Sequence, residues 1–296
     1  MKDSLNVIDN ITLPYFAYGS NLNGKDWDSF ISRNDLKSDS IIARPGIFFL
    51  PDHELNFSAY SSTRKGGVLD VVEKIGHAVV GKLYDVNDGY EALDKKEGNP
   101  NFYHKKSITV LDQNGNSVKA ITYVIKKFKT EFVKPSGNDL DLVIEGYEQH
   151  GIVAKYPWAL EQVLQASNGQ ISNTGVAFVF VYGTLRQGQS RFEKIKSLID
   201  EIIPEQKIPG AIIHLGDYPG LISYSGFVTG EIIYCKNMQN LLEKLDYIEG
   251  FSGYDRDSLF TRILLNSGKI TCWVYLWNGE ISDGNIIPSG DWTDTG

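Results

Sequence analysis

The chain repeats itself, and that restricts its fold more than any other property. Tyr18-Gly19-Ser20-Asn21-Leu22 follows the apolar run Tyr15-Phe16-Ala17, and Tyr182-Gly183-Thr184-Leu185-Arg186 follows Phe178-Val179-Phe180-Val181. Each reads as a short buried strand that stops at a tight glycine turn. From Gly19 to Gly46 and from Gly183 to Gly210 the distance is 27 residues, and each second glycine follows a proline. Strand-like runs come next in both halves, at 47–50 and 211–215 and then at 80–84 and 229–234. The best match is Leu93-Asp94-Lys95-Lys96-Glu97-Gly98 against Leu245-Asp246-Tyr247-Ile248-Glu249-Gly250. Tyr103 and Tyr254 follow, then strand-like 107–111 and 261–265. The same features in the same order, twice, predict a tandem repeat of one domain. The 296 residues allow about 150 per copy, enough for a core in each. The expected domains are 1–168 and 176–296, joined by a polar, glycine-containing linker over 167–175.

Within the first copy, a helix opens over 23–30, and strands are expected over 45–50, 55–60 and 77–86. A helix over 88–96 has Asp88 as its cap and Gly98 as its stop, so Glu97 falls at its end. Residues 138–166 read as two helices, the first capped by Asp139 and the second started by Pro157 and Trp158. Interspersed strands and helices give an α/β (α+β) class. Gly46 to Gly81 spans 35 residues, whereas Gly210 to Gly230 spans 20. The extra 15 include the polar loop 61–67 with Arg64 and Lys65, read either as a solvated turn or as a pocket wall. The tail, 278–296, is expected to pack loosely.

A net charge of −8 argues against a nucleic acid or an acidic membrane surface as partner. Neither a signal-like run nor a membrane-spanning stretch is present, so the cytoplasm is the expected location. Cys235 and Cys272 read as buried free thiols. The five histidines stand in no recognisable nucleophile context, and Cys-x-x-Cys, His-Glu-x-x-His and phosphate-loop patterns are missing. No metal and no cofactor are expected.

What remains is the pair of turns and the pair of glutamates. Successive N–H groups in a glycine turn form a nest for a carboxylate. The turn 18–22 with Leu93-Asp94-x-x-Glu97-Gly98 resembles γ-glutamylcyclotransferases. The turn 182–186 with Tyr218-Pro219-Gly220-Leu221 resembles the γ-glutamylamine cyclotransferase and AIG2-like group. The resemblance implies two small mixed, largely antiparallel β-barrels with helices packed outside. It also implies a lyase- or transferase-type release of 5-oxoproline from a small γ-glutamyl substrate. On that resemblance Glu97 and Glu249 are the acid/base groups. Gly19, Ser20, Asn21 and Leu22, and likewise Gly183, Thr184 and Leu185, would hold the glutamyl end through backbone N–H groups beside Tyr18 and Tyr182. Tyr103 and Tyr254 bond the substrate or the glutamate, or are core tyrosines. Arg186 serves a substrate carboxylate or a neighbouring acid, and Asp94 and Asp246 stabilise locally. Two alternatives stay open: a non-catalytic γ-glutamyl or carboxylate binder, and one active repeat beside one scaffold repeat. The fuller turn and the extra loop place the main site in the first copy. The sequence names neither a particular γ-glutamyl compound nor an oligomeric state.

Overall fold

In the computed structural model, which describes residues 12–37, 39–87, 89–126, 131–170, 176–281 and 285–295, the apolar run before each glycine turn is an inner strand. Strand β1 (Tyr15–Ala17) runs antiparallel to β4 (Gly66–Val86) and parallel to β6 (Ser117–Ile125). Completing the set are β3 (Phe48–Ser61) and β5 (Tyr103–Leu111), and the order β1-β6-β5-β3-β4 closes back on β1. The result is a five-stranded barrel with β2 (Ile41–Ala43) on its edge. In the second repeat, β7 (Phe178–Val181) lies between β9 (Pro219–Tyr234) and β11 (Ile270–Trp277). The order there is β10-β11-β7-β9-β8, with β8 covering Glu201–His214 and β10 covering Phe260–Ser267. Ser267 Oγ donates to Lys207 O at 2.8 Å, so a side chain joins β10 to β8. Helices α1 (Gly24–Arg33), α3 (Gly137–Gln149) and α5 (Pro157–Ser167) cover the first barrel with Trp27, Ile31, Val143, Tyr147 and Val163. The short α4 (Ile152–Lys155) links the last two. The expected mixed, mainly antiparallel architecture with outer helices is therefore observed, closed into a barrel in the first repeat and present as a five-stranded sheet in the second.

Both copies share one close crossing. A Cβ on Gly81 would lie 2.2 Å from Ala17 O, and one on Gly230 2.3 Å from Val181 O. The rings of Phe16 and Phe180 press on the same spots. Only glycine lets the first strand pass there. Tyr18 Oη donates to Tyr123 O at 2.8 Å, and Tyr182 Oη to Tyr275 O at 2.9 Å.

Several local expectations change. The strands expected at 45–50 and 55–60 form one strand, β3, bent by a bulge between Pro51 and His53. The 15 extra residues lengthen the β3–β4 hairpin and carry Arg64 and Lys65 at its tip. Ser136, not Asp139, caps α3: its Oγ accepts the Asp139 N–H at 3.3 Å. Asp139 sits in the first turn instead, where a carboxylate is also favoured. Helix α2 covers Glu91–Glu97, and the expected cap, Asp88, lies outside the described residues, as do residues 1–11 and the linker positions 171–175. Gly98 ends α2 at φ 63°, and Gly250 ends α6 (Met238–Glu249) at φ 64°, the left-handed stop that glycine tolerates best. The tail does not pack loosely. Ile287 is buried, its N–H donates to Ile212 O at 2.9 Å, and Asp291 pairs with Arg186 at 2.6 Å. Cys235 and Cys272 are free and buried. Among the described residues, no helix is long and apolar enough to cross a membrane.

The repeats meet at several points: the bent part of the β3–β4 hairpin reaches α6, Trp158 Nε1 donates to Thr271 Oγ1 at 3.0 Å, and Lys119 pairs with Asp255. Trp273 Nε1 donates to Gly76 O at 3.3 Å. Arg262, 1% exposed, pairs with Asp52 of the first repeat at 2.5 Å and with Asp246 of its own at 3.1 Å. Its guanidinium lies between the rings of Phe251 and Trp273, at 5.1 and 5.0 Å.

Candidate active site

The repeated Leu-Asp-x-x-Glu-Gly motif is a device for aiming a glutamate. Leu93 is buried and anchors α2. Asp94 accepts from Tyr123 Oη at 2.5 Å, Asn99 Nδ2 at 2.9 Å and Lys105 Nζ at 2.9 Å. It thus ties the helix end to β5 and β6, the local stabilising role expected of it. Glu97 then faces the turn after β1. Asn21 Nδ2 donates to Glu97 Oε1 at 2.5 Å and to Tyr15 Oη at 2.8 Å. The residue keeps partial access to a cleft, while its carboxyl group is enclosed by protein. Burial raises its pKa from the ordinary 4.5 to about 7, against the opposing pull of Lys96, the Asn21 bond and Arg64.

That cleft has a volume of about 1040 Å³ and brings together Tyr18, Gly19, Ser20, Asn21, Glu97 and Tyr103. It does not include Leu22, which is buried behind the turn. The Leu22 and Asn23 amides close the turn onto Gly19 O and Ser20 O, each at 3.0 Å, so Leu22 has no N–H to offer. The amides ahead of them, on Ser20 and Asn21, stand outside that bonding. Asn21 Oδ1 is buried and has no hydrogen-bond partner. Tyr103 Oη donates to Leu69 O at 2.8 Å, and the Tyr18 hydroxyl proton is likewise committed to backbone. Their oxygens remain as acceptors.

A charged cluster unforeseen in the sequence forms one wall. Arg64 grips Asp26 with Nη1 at 3.2 Å and Nη2 at 2.9 Å, and Lys96 Nζ reaches Asp26 Oδ2 at 2.6 Å. Arg64 Nε stands 3.2 Å from Asp139 Oδ1 as a charge contact without hydrogen-bond alignment. Asp26 is held below the usual carboxylate range; burial opposes this, but the Arg64 and Lys96 bonds prevail. Burial pushes Asp139 upward. The loop 61–67 is therefore a wall of the cleft, through Arg64 and Lys65.

The second repeat keeps the aiming device and loses the room. Asp246 accepts from Tyr275 Oη at 2.5 Å as Asp94 does from Tyr123. Burial likewise lifts Glu249 to about 7, with Arg191 opposing. Yet Leu185 occupies the position of Asn21 in the aligned turns, and Glu249 has no hydrogen-bond partner among the described residues. Gly183, Thr184, Leu185, Tyr182 and Glu249 do line one cavity, but its volume is about 20 Å³, room for a single water. The Pro219 ring covers the turn: a Cβ on Gly183 would lie 2.5 Å from Pro219 Cγ. Arg191 stacks on Tyr218 at 5.0 Å beside it. Tyr254 is not brought there; it packs on Phe251, and its oxygen accepts from Arg262 Nε at 3.4 Å. Strand register explains this. Tyr123 faces Lys105, and Tyr275 faces Arg262, so Phe260 is the counterpart of Tyr103. Arg186 serves the neighbouring acids Asp291 and Glu231, at 2.6 and 3.8 Å.

The two raised carboxyls predict a pH-dependent cost. Each folded carboxyl holds its proton up to about pH 7, whereas the unfolded one releases it near 4.5. Stability therefore falls as pH rises between those values, and the whole cost stands above about 7. At 1.36 kcal/mol per unit, the cost is at most ~3 kcal/mol per group. Glu97→Gln and Glu249→Gln are each expected to melt at a higher temperature than wild type at pH 8 and at the same temperature near pH 4. A melting difference that stays constant from pH 4 to 8 refutes this.

The gamma-glutamyl cyclotransferase, AIG2-like family model matches residues 15–147 and 179–294. A Vibrio cholerae protein carrying a provisional gamma-glutamylcyclotransferase name is 33% identical over 117 residues, covering 38% of this chain and 93% of its own. The gamma-glutamylcyclotransferase family protein YtfP of Escherichia coli K12 is 29% identical over 118 residues, covering 39% and 96%. A solved structure described as gamma-glutamyl cyclotransferase is 24% identical, with a TM-score of 0.43, covering 50% of this chain and 86% of that one.

Proposed function

The chain belongs to the gamma-glutamyl cyclotransferase, AIG2-like family, and from that premise we propose that its first repeat converts a γ-glutamyl amide to 5-oxoproline and a free amine, with Glu97 as general acid/base. One observation carries the reading: a carboxyl with a pKa of about 7 lies at an open cleft beside the glycine turn, held there by Asn21. A base poised near working pH transfers protons in both directions.

In this scheme the α-carboxylate of the glutamyl group sits at the Ser20 and Asn21 amides. Its α-ammonium gives a proton to Glu97, and the orphan Asn21 Oδ1 accepts from the same nitrogen. The α-nitrogen then bonds to the carbonyl carbon of the γ-glutamyl amide and closes the five-membered ring. The bond from that carbonyl carbon to the amine breaks as Glu97 returns the proton to the departing nitrogen; Glu97 then takes the second proton from the ring nitrogen and passes it to the freed amine, which leaves as ammonium. No water and no redox partner enters. The attacking group is tethered, so proximity supplies much of the acceleration; oriented intramolecular cases reach effective molarities of about 10⁵–10⁸ M. Tyr18 and Tyr103 offer acceptor oxygens along the same wall.

The second repeat, in a unit that we place at 176–296 after a first unit of 1–168, serves as scaffold. Pro219 over its turn and the one-water cavity favour that division of labour. Incubation with a panel of γ-glutamyl amides, followed by mass spectrometry, tests the activity. The expected result is 5-oxoproline from at least one of them. Its absence throughout, with binding retained, transfers the protein to the class of γ-glutamyl or carboxylate binders.

A further inference from the structure

The cleft beyond Glu97 is larger and more basic than the cyclisation needs. The reacting half of the substrate is a single glutamyl group, whereas about 300–1,000 Å³ accommodates a drug-sized ligand. This cleft reaches about 1040 Å³. The chain carries −8 overall, yet the cleft has the opposite sign. Asp26, Arg64, Lys96 and Asp139 neutralise one another. That leaves one carboxyl, Glu97, against three lining cations, Arg33, Lys65 and Lys95. Lys65 and Lys95 have no ion-pair partner among the described residues, and Arg33 spends only its Nε, on Ser29 O at 3.1 Å. Lys65 is held in the left-handed region, at φ 55°, a conformation that costs energy for a side-chain-bearing residue. Tyr60, 59% exposed, stands at the same hairpin end and lines the same cleft, with Phe30 and Phe102. Tyr60 thus leaves a ring face open to solvent in the same cleft as the unpaired cations. The second repeat has none of this: its aligned motif holds Tyr247 and Ile248 in place of Lys95 and Lys96, and its hairpin lacks the 15 extra residues.

The geometry points to a second subsite, formed by Tyr60 and Lys65 of the hairpin tip with Arg33 and Lys95, that binds an extended, anionic leaving amine. The substrate class is then a γ-glutamyl conjugate whose amine part is longer than one residue, presents an apolar or aromatic segment to Tyr60, and ends in carboxylate or phosphate. The inference rests on the cyclotransferase reading for the chemistry, but the subsite itself is a matter of binding. Lysine or polyamine tails are disfavoured by like charge, since the three cations act together across a groove with low-dielectric walls.

The test uses four γ-glutamyl tripeptide conjugates of equal length, γ-glutamyl-Ala-Phe-X, with X as glutamate, phosphoserine, glutamine amide or lysine amide. Turnover is read on the wild-type protein, and affinity by calorimetry on Glu97→Gln, so that binding is measured whether or not turnover occurs. Both anionic conjugates are expected to bind at least about tenfold tighter than the lysine amide at low salt, with the gap closing as salt screens it. The order of the glutamate and phosphoserine arms identifies the anion. Lys65→Glu combined with Lys95→Glu is expected to bring the anion-to-cation ratio down tenfold or more. Equal affinity for all four overturns the subsite, even if every one releases 5-oxoproline. Graded affinity with no 5-oxoproline from any upholds the subsite and overturns the cyclotransferase reading.

Discussion

Glu97→Gln lowers kcat/KM by about 10²–10⁴-fold on the best γ-glutamyl substrate, the usual cost of losing a positioned acid/base, while Glu249→Gln leaves it near wild type. Glutamine keeps the shape and the Asn21 contact and removes only the ability to move a proton. The asymmetry follows from space, because both carboxyls are raised to about 7 by burial and chemistry alone does not separate them. One opens on about 1040 Å³ and the other on about 20 Å³. In the wild type, kcat/KM should rise with pH through about 7 as Glu97 becomes the base. Asn21→Leu, which installs the residue of the second repeat, removes a hydrogen bond to the carboxylate. It therefore moves that limb to higher pH. Circular dichroism checks that each variant folds. A folded Glu97→Gln protein at wild-type rate beside a dead Glu249→Gln protein reverses the assignment.

What the sequence disclosed here is what the backbone repeats. The two turns, the two crossing glycines and the two glutamates at left-handed helix stops recur because each copy must build the same strand crossing and end the same helix. Local composition encodes such features within a few residues of each other. The partners of Glu97 were another matter. Asn21 is 76 residues away in sequence, and the Asp26–Lys96 pair spans 70, so neither leaves a spacing signal. Tyr254 was misleading for a related reason: distance from the glutamate pairs it with Tyr103, but strand register pairs Tyr103 with Phe260. Pro219 was legible as part of a motif; that its ring covers Gly183 depends on how β9 begins, which composition does not set. The tail looked loose because glycine, aspartate and serine dominate it, but Ile287 and Asp291 suffice to dock it.

Removing the Arg262 guanidinium should be the most destabilising single change at the junction of the repeats. Breaking a buried ion pair from one side typically costs about 3–5 kcal/mol, because the remaining charge stays without a partner. Here two carboxylates are stranded, but Asp52 and Asp246 retain 26% and 21% side-chain exposure, so water relieves part of the loss. Arg262→Ala is therefore expected near the lower end, about 3 kcal/mol, including the packing lost between Phe251 and Trp273. Arg262→Met, which refills the space, should recover the packing part alone. Adding Asp52→Asn to Arg262→Met removes one stranded charge and should recover more, a non-additive gain that a double-mutant cycle detects. Denaturant unfolding at fixed pH measures all three. Because Asp246 also holds Tyr275 Oη and anchors α6, the loss is expected to loosen the second repeat and its contact with β4. The folded fraction should still turn over substrate at Glu97, since that cleft is built wholly from the first repeat. If the effects of Arg262→Met and Asp52→Asn simply add, the cross-repeat pair contributes nothing. The repeats are then held by the other contacts across the junction, such as Met238 and Leu242 on Gly76, the Trp273 and Trp158 indole hydrogen bonds and the Lys119–Asp255 pair.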